Sequence, residues 1–444
     1  MVTPLILTLI AVAFLLIVIE DIIHVNKAKT TLFFGTLCWI ILFISPIHGQ
    51  SPETIQHQLD HNILEIATLW LFLMAAMTFV AYLNSKGFIQ NIVHKIMPNQ
   101  ISERKLMFLI GGFAFLFSSI SDNITATLIS LAVVMSLKLD PKKLIKYATL
   151  IVFSVNSGGV SLITGDVTTL MIFLDEKVTI ANLLLLIAPA LTSVALLAAM
   201  LSVGMSGNVV FEKQAARRIE KTDITIAVIF FSTIIATLTL SVLYSVPPLL
   251  TFLFGLSLMF LVAQFLMRKK DVNKKIIDYI REIEYDTLLF FVGVLLLVGA
   301  LKEVGMLAKF THLYELMAPE YANYLMGLLS AAVDNVPLTA ALLKADIVMS
   351  PQQWLSFTYA TGVGGSMLII GSAAGIVTMS KVKGLSFARY GKYFLLLLIA
   401  YSVGYSSTSP MLNHYKEVYG VSPQDDRKNR NSFRVTDGSC LPSV

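Results

Sequence analysis

Charge is scarce in this 444-residue sequence. Asp, Glu, Lys and Arg together make up 14% of it, against roughly 25% in a soluble globular domain. Hydrophobic residues reach 56%, so there is too little polar material to clothe a soluble surface. Cysteine is nearly absent: Cys38 lies in an apolar run and Cys440 in a polar tail. That excludes a disulfide framework and a cysteine-based metal site. A phosphate-binding loop is also missing, which argues against ATP-driven chemistry. "GVGG" at 362–365 is a glycine-rich fragment that follows no strand. The first apolar run, 3–19, lacks a basic n-region and a small-residue cleavage site, and reads as a retained span rather than a signal peptide. The net charge of +5 is modest and gives no case for nucleic acid.

What is present is a series of long oily runs. Since about 20 helical residues cross a bilayer core, ten full spans are expected: 3–19, 31–47, 63–83, 144–170, 179–205, 223–243, 247–267, 285–301, 354–380 and 387–407. Two further stretches, 106–137 and 322–349, are too long for one span and too short for two. Lys86, Lys95, Arg104 and Lys105 precede the first of these, and Lys138, Lys142, Lys143 and Lys146 follow it. Basic flanks belong on the cytoplasmic side, so both ends of 106–137 should lie there. A segment that enters and leaves on one side is a re-entrant hairpin, with arms of about 14 residues or about 20 Å of helix. Its tip would carry Ser121, Asp122 and Asn123. The loop with Lys27 and Lys29, and those at 213–221 and 268–275, should also be cytoplasmic. The loop 48–61 should face outward, as should the mouth of the second hairpin and the tail.

An internal repeat supports this layout. "SSISDNITATLISLAVV" (118–134) matches "SAAVDNVPLTAALL" (330–343), which places Asp334-Asn335 212 residues after Asp122-Asn123. "SGGVSLITGD" (157–166) matches "VGGSMLIIGS" (363–372) at an offset of 206. With five full spans per half, an odd number, the second half should be inverted, the architecture of many secondary transporters. The expected fold is thus an all-α polytopic membrane protein with about ten transmembrane helices, two re-entrant hairpins and glycine-broken helices at the midplane. Its parts are a first repeat (1–205), a cytoplasmic linker (206–222), a second repeat (223–407) and a polar tail (408–444).

Few carboxylates lie deep in the membrane: Glu65, Asp122, Asp166 and Asp334. Each costs at least about 2.5–3.5 kcal/mol to insert, so each should line a wet cavity or find a partner. Helix capping at the hairpin tips needs only Ser or Asn, so capping alone does not explain why Asp recurs in both halves. "NSGGVSLITGDVTT" (156–169) should break its helix and present carbonyls and the oxygens of Asn156, Ser157, Thr164, Asp166, Thr168 and Thr169. A packing kink would explain Gly158 and Gly159 but not Asp166. The matching stretch has Ser372 in place of Asp166, so the site is pseudo-symmetric. Glu65 reads equally as a proton-pathway group or an interfacial residue. Asp21, His24, His48, His57 and His61 read as interfacial or solvated. No Lys or Arg occurs at either hairpin tip or at the glycine breaks, which disfavours an anion and favours a cation. A carboxylate that can hold a proton or a cation, but not both, suffices to couple the two.

"SDNITATLISL", "GDVTTLM", "HNILEIATLWLFLMAAMTF" and "VDNVPLTAAL" together resemble the NhaD family of sodium/proton antiporters, part of the ion transporter superfamily that includes arsenite and dicarboxylate carriers. The resemblance covers most of residues 1–407. It implies exchange of Na+ or Li+ for H+ in a bacterial inner membrane, with no cofactor. It implies roles for Glu65, Asp122, Asn123, Asn156, Asp166, Thr168, Thr169, Ser330, Asp334, Asn335 and Ser372. Asp122, Asp166 and Asp334 are then expected to alternate between protons and Na+ or Li+. It further implies a homodimer working in elevator fashion. The dicarboxylate carriers have a neutral Ser-Asn-Thr at the hairpin tips; Asp in this position fits a bare cation. A carrier of arsenite or a carboxylate is the alternative. An intramembrane aspartyl protease needs G-x-G-D, and here Ile163 replaces the first glycine.

Overall fold

A computed structural model of the chain describes residues 2–18, 25–47, 51–88, 91, 98–137, 139–210, 219–244, 246–267, 276–345 and 347–419. Asp21, His24, His48, Lys95, Lys138, the loops 211–218 and 268–275 and the tail from 420 lie outside them. Among the described residues the regular structure is helical apart from one short two-stranded ribbon. In chain order the helices begin with α1 (Val2–Val18), α2 (Lys27–Ile44) and α3 (Pro52–Ser85). The first hairpin is α4 (Glu103–Ile120) and α5 (Asn123–Met135). The first broken span follows as α6 (Pro141–Gly159) and α7 (Val167–Leu174), then α8 (Ile180–Leu184) and α9 (Ile187–Ser202). The second half holds α10 (Lys221–Tyr244), α11 (Pro248–Met267), α12 (Tyr285–Glu303) and α13 (Ala308–Leu316). The second hairpin is α14 (Pro319–Ser330) and α15 (Asn335–Lys344). The second broken span is α16 (Pro351–Gly364) and α17 (Ala373–Lys381), closed by α18 (Phe387–Gly391) and α19 (Phe394–Tyr419).

Among the described residues six continuous helical stretches are long and apolar enough to cross a membrane. They include α2, α3, α12 and the joined α8–α9. The other expected spans are either marginally short, as α1 is, or interrupted. The runs 144–170 and 354–380 are interrupted at their glycine pairs, where 160–166 and 365–372 leave the helix. The first hairpin's arms are unequal, at 18 and 13 residues rather than about 14 each. The first arm starts early because Ser102 caps it, its hydroxyl accepting from Lys105 N. Just before that cap, Gln100–Ser102 pairs antiparallel with Asn208–Val210. This ribbon, absent from an all-α expectation, gives structure to part of the stretch read as a linker.

Glycines set the closest helix contacts. α2 crosses α12 with Gly35 against Gly293: a Cβ on Gly35 would stand 2.8 Å from the Gly293 carbonyl oxygen. Without side chains in the way, the two backbones meet directly, as small residues permit in membrane interiors. The same device recurs where each hairpin meets its broken helix. Gly158 of α6 abuts the carbonyl of Phe115 in α4, and Gly364 of α16 abuts the carbonyl of Gly327 in α14. Hydroxyl clasps repeat as well. Ser118 Oγ donates to Val155 O at 2.7 Å, and Ser330 Oγ donates to Thr361 O at 2.8 Å. Finally α5 packs on α17 while α7 packs on α15, so each hairpin's second arm touches the broken helix of the other half. The hairpin tips and unwound segments are thereby brought to one place.

Replacing Gly158 by Leu should force α4 off α6 and cost about 3 kcal/mol, at the upper end for overpacking. Gly112 faces open space, and Gly112→Ala should be neutral or stabilising by up to about 1 kcal/mol. Thermal unfolding of the detergent-purified variants, followed by tryptophan fluorescence, checks both. Equal midpoints for Gly158→Leu and the parent would refute the packing account.

Candidate functional site

Asp166 ends the unwound segment that follows Gly158 and Gly159. That segment is pinned from outside: Ser119 Oγ donates to Gly158 O at 3.0 Å, and Thr164 Oγ1 donates to Ser119 O at 2.9 Å. Asp166 sits at the start of α7 but makes no side-chain capping bond. Its Oδ2 instead accepts from Thr168 Oγ1 at 2.6 Å and from the Asn335 amide at 3.4 Å. Asp166 is 8% exposed, and Thr168 and Asn335 are buried with it. Asn123, from the first hairpin tip, is its neighbour. A Cβ on Gly159 would meet Asn123 Oδ1 at 2.8 Å and Asp166 Cβ at 3.0 Å. One carboxylate thus takes hydrogen bonds from its own segment and from the second hairpin, with Asn123 of the first hairpin close by across Gly159.

A second link crosses between the halves. The Asn156 amide donates to Ser372 Oγ at 3.0 Å, and that hydroxyl also caps α17 through Gly375 N at 3.3 Å. Thr169 Oγ1 reaches Gly159 O at 3.4 Å and steadies the break. Ser330 Oγ donates to Thr361 O and so clasps α14 to α16. Several buried oxygens have no partner, among them Asn156 Oδ1, Ser121 Oγ, Ser157 Oγ and Ser161 Oγ. Buried polar atoms are rarely left so in native proteins. Their concentration at the two breaks in α4–α5 and α6–α7 marks a place for water or a hard cation, which prefers oxygen ligands.

The two hairpin aspartates behave differently from Asp166. Asp122 is half-buried and caps α5, its Oδ1 accepting from Thr125 N at 2.8 Å. Asp334 caps α15, with Oδ1 accepting from Val336 N at 3.2 Å. Its Oδ2 is ion-paired with Lys27 Nζ at 3.1 Å. The absence of Lys and Arg from the tip sequences therefore does not hold in space: α2 delivers an ammonium from the far end of the chain. Asp122, Asp166 and Asp334 do not form a single three-acid cluster, although Asp334 stands close enough for its charge to act on Asp166. Among the described residues no three Asp, Glu, His or Cys gather as a metal cluster. Capping engages one oxygen of Asp122, and capping and the Lys27 pair engage both oxygens of Asp334, whereas Asp166 is met by neutral donors.

Glu65 is not brought to this centre. It pairs with Lys344 Nζ at 2.9 Å and with His61 at 3.1 Å, at the far end of α15. Lys344 also donates to Asn62 Oδ1, whose amide holds Leu295 O of α12 at 3.3 Å. A cavity of about 650 Å³ opens beside this group, lined also by Met171, Leu174, Asp175 and Asn182. Three residues that sequence reading missed thus matter here: Lys27, Lys344 and Glu284. Glu284 stands just before α12. Burial of its carboxyl group, and then the charge of Asp122, hold it above the ordinary carboxylate range. No local motif marks any of them, since each lies at a span end where charge is expected anyway.

Residues 13–364 match the CitMHS (citrate transporter) family. The Na(+)/H(+) antiporter NhaD of Vibrio cholerae is 31% identical over 425 residues, covering 89% of each chain. Its namesake from Alkalimonas amylolytica is 30% identical, over 88% of this chain and 86% of its own. Sodium/proton antiporter 1 of Arabidopsis thaliana is 28% identical, over 84% of this chain and 68% of its own. By its own motifs, the span of the family match and these full-length relatives, the chain belongs to the CitMHS family and, within it, to the NhaD-type Na+/H+ antiporters.

Proposed function

We propose that this multi-pass membrane protein exchanges Na+ for H+ across a bacterial inner membrane, with Asp166 as the group that takes either ion. The observation that carries the reading is the surroundings of Asp166: a buried carboxylate with a hydroxyl, two amide side chains and unpartnered oxygens, and no ion pair among the described residues. Deprotonated, it offers charge to Na+ or Li+ while Asn123, Asn156, Thr168 and nearby carbonyls complete the shell. Protonated, it donates a hydrogen bond and the cation leaves. Competition for one carboxylate couples the two flows without any chemical step. Asp122, Asp334 and Asn335 set the field and the positions of the tips, and Ser372 and Thr169 hold the broken helices in place.

The reciprocal contacts of α5 with α17 and α7 with α15, and the repeated serine clasps, support two inverted repeats that carry the site between them. The hairpins and broken helices would move together against α2, α3 and α12, in elevator fashion, within a homodimer. Carriage of a carboxylate is the second reading, favoured by the citrate-transporter family match and by the ammonium of Lys27. That ammonium is engaged by Asp334, however, and Asp166 would repel an anion.

In everted vesicles with an established proton gradient, Na+ or Li+ should restore a quenched pH-sensitive dye, and citrate or arsenite should not. If neither Na+ nor Li+ dissipates the gradient, the proposal is wrong. Asp166→Asn should reduce exchange at least about 100-fold, matching the roughly 3 kcal/mol lost when one partner of a buried charge interaction is removed. Asn335→Ala, which removes one neutral donor, should raise the half-saturating Na+ by about tenfold, or roughly 1.4 kcal/mol. Ser330→Ala should lower the unfolding midpoint while leaving half-saturation unchanged; a shift in Na+ affinity there would return Ser330 to the ion's shell.

A further inference from the structure

Lys27 opens α2, far in sequence from either hairpin, yet its ammonium lies 3.1 Å from Asp334 Oδ2. Its side chain is 18% exposed and that of Asp334 8%. The same ammonium stands 4.4 Å from the centre of the Phe290 ring on α12. Asp334 Oδ1 already accepts from Val336 N. Both oxygens of this carboxylate are therefore occupied, one by the backbone and one by a positive charge of the protein itself. Asp334 also directly precedes Asn335, whose amide reaches Asp166. The counter-ion of the second tip and the ligand shell of Asp166 are thus adjacent along one turn of chain.

We propose that Lys27 is a tethered counter-ion that the transported cation displaces from Asp334 during each cycle. This rests on the reading of the site as a cation exchanger. Several features fit a group that leaves and returns. Lysine is a compact charge on a flexible stem, unlike the fixed fork of arginine. The Phe290 ring offers the ammonium a second resting place, because the face of an aromatic ring attracts cations. A cation approaching Asp166 and the neighbouring second hairpin tip meets an Asp334 already neutralised, so Lys27 weakens its binding. When the cation departs, the ammonium moves back and prevents Asp334 from standing bare in the membrane. Lys27 acts through Asp334 and is a positioning and competing group. Its removal should tighten Na+ binding while slowing release, a split that a purely structural residue would not produce.

The test uses the full-length protein in everted vesicles and in detergent. Lys27→Met keeps the stem and removes the charge. It should lower the half-saturating Na+ by about tenfold and also lower the maximal exchange rate. Lys27→Arg should restore half-saturation toward the parent value. In the wild type, brief treatment with acetic anhydride followed by mass spectrometry should show Lys27 acetylated several-fold faster in Na+ than in choline, with the exposed Lys29 as the unchanging reference. Asp334→Asn should give the fast rate in both salts. Unchanged or raised half-saturation in Lys27→Met, or Na+-independent acetylation of wild-type Lys27, would overturn the proposal. Should Lys27→Met fail to fold, the wild-type acetylation result decides alone. Failure of wild-type vesicles to respond to Na+ or Li+ would instead sink the exchanger reading, whatever the Lys27 chemistry shows.

Discussion

A carboxylate inside hydrocarbon must be hydrated, neutralised or given partners, and the arrangement of this molecule follows from meeting that demand several times. Asp122 receives a backbone amide at a helix start. Asp334 receives a backbone amide and an ammonium. Glu65 receives an ammonium and an imidazole at the far end of the same short helix. Asp166 receives neutral donors from two halves of the chain. Of these, Asp166 is the one surrounded by neutral side-chain donors from both halves. The difference among the acids lies in what surrounds each of them, since the residue type is nearly the same throughout.

Those surroundings depend on backbone leaving the helix within the membrane, which protein tolerates only where other protein covers the exposed amides and carbonyls. The glycines provide that cover by contact. Gly158 and Gly364 let each broken helix lie against a carbonyl of its hairpin, and the hydroxyls of Ser119 and Thr164 fasten the unwound turn from outside. Gly35 and Gly293 do the same for the crossing of α2 and α12. That crossing fixes the end of α2, and hence Lys27, in front of the second hairpin tip. Helix packing and electrostatics are in this way one problem: a larger residue at any of these glycines would move a charge.

Much of this was readable from residue order. Long oily runs located the helices, and the paired Gly158-Gly159 and Gly364-Gly365 located the breaks. The Asp-Asn pairs located the tips, because each of these signals is local and has a single physical cause. The matches at offsets of 212 and 206 even relate the clasps of Ser118 and Ser330. Three things were not readable. The ribbon between Gln100–Ser102 and Asn208–Val210 is three residues deep and joins segments about a hundred residues apart. Lys27 and Lys344 follow the ordinary placement of basic residues near span ends, which hides their inward pairing. The separate duties of Asp122, Asp166 and Asp334 depend on which oxygens the fold has already used, and spacing does not encode that.

The helix Asn335–Lys344 is anchored at both ends, and to different neighbours. Its leading acid holds α2 through Lys27, and its trailing base holds α3 through Glu65. Both α2 and α3 pack on α12, so the two anchors stand on one foundation about 15 Å apart along the helix. In the proposed elevator motion, displacement of this arm relative to α2 and α3 would part both pairs together. An arm that moved without cargo would then leave four ions unpaired, and that penalty would oppose leakage of one ion uncoupled from the other.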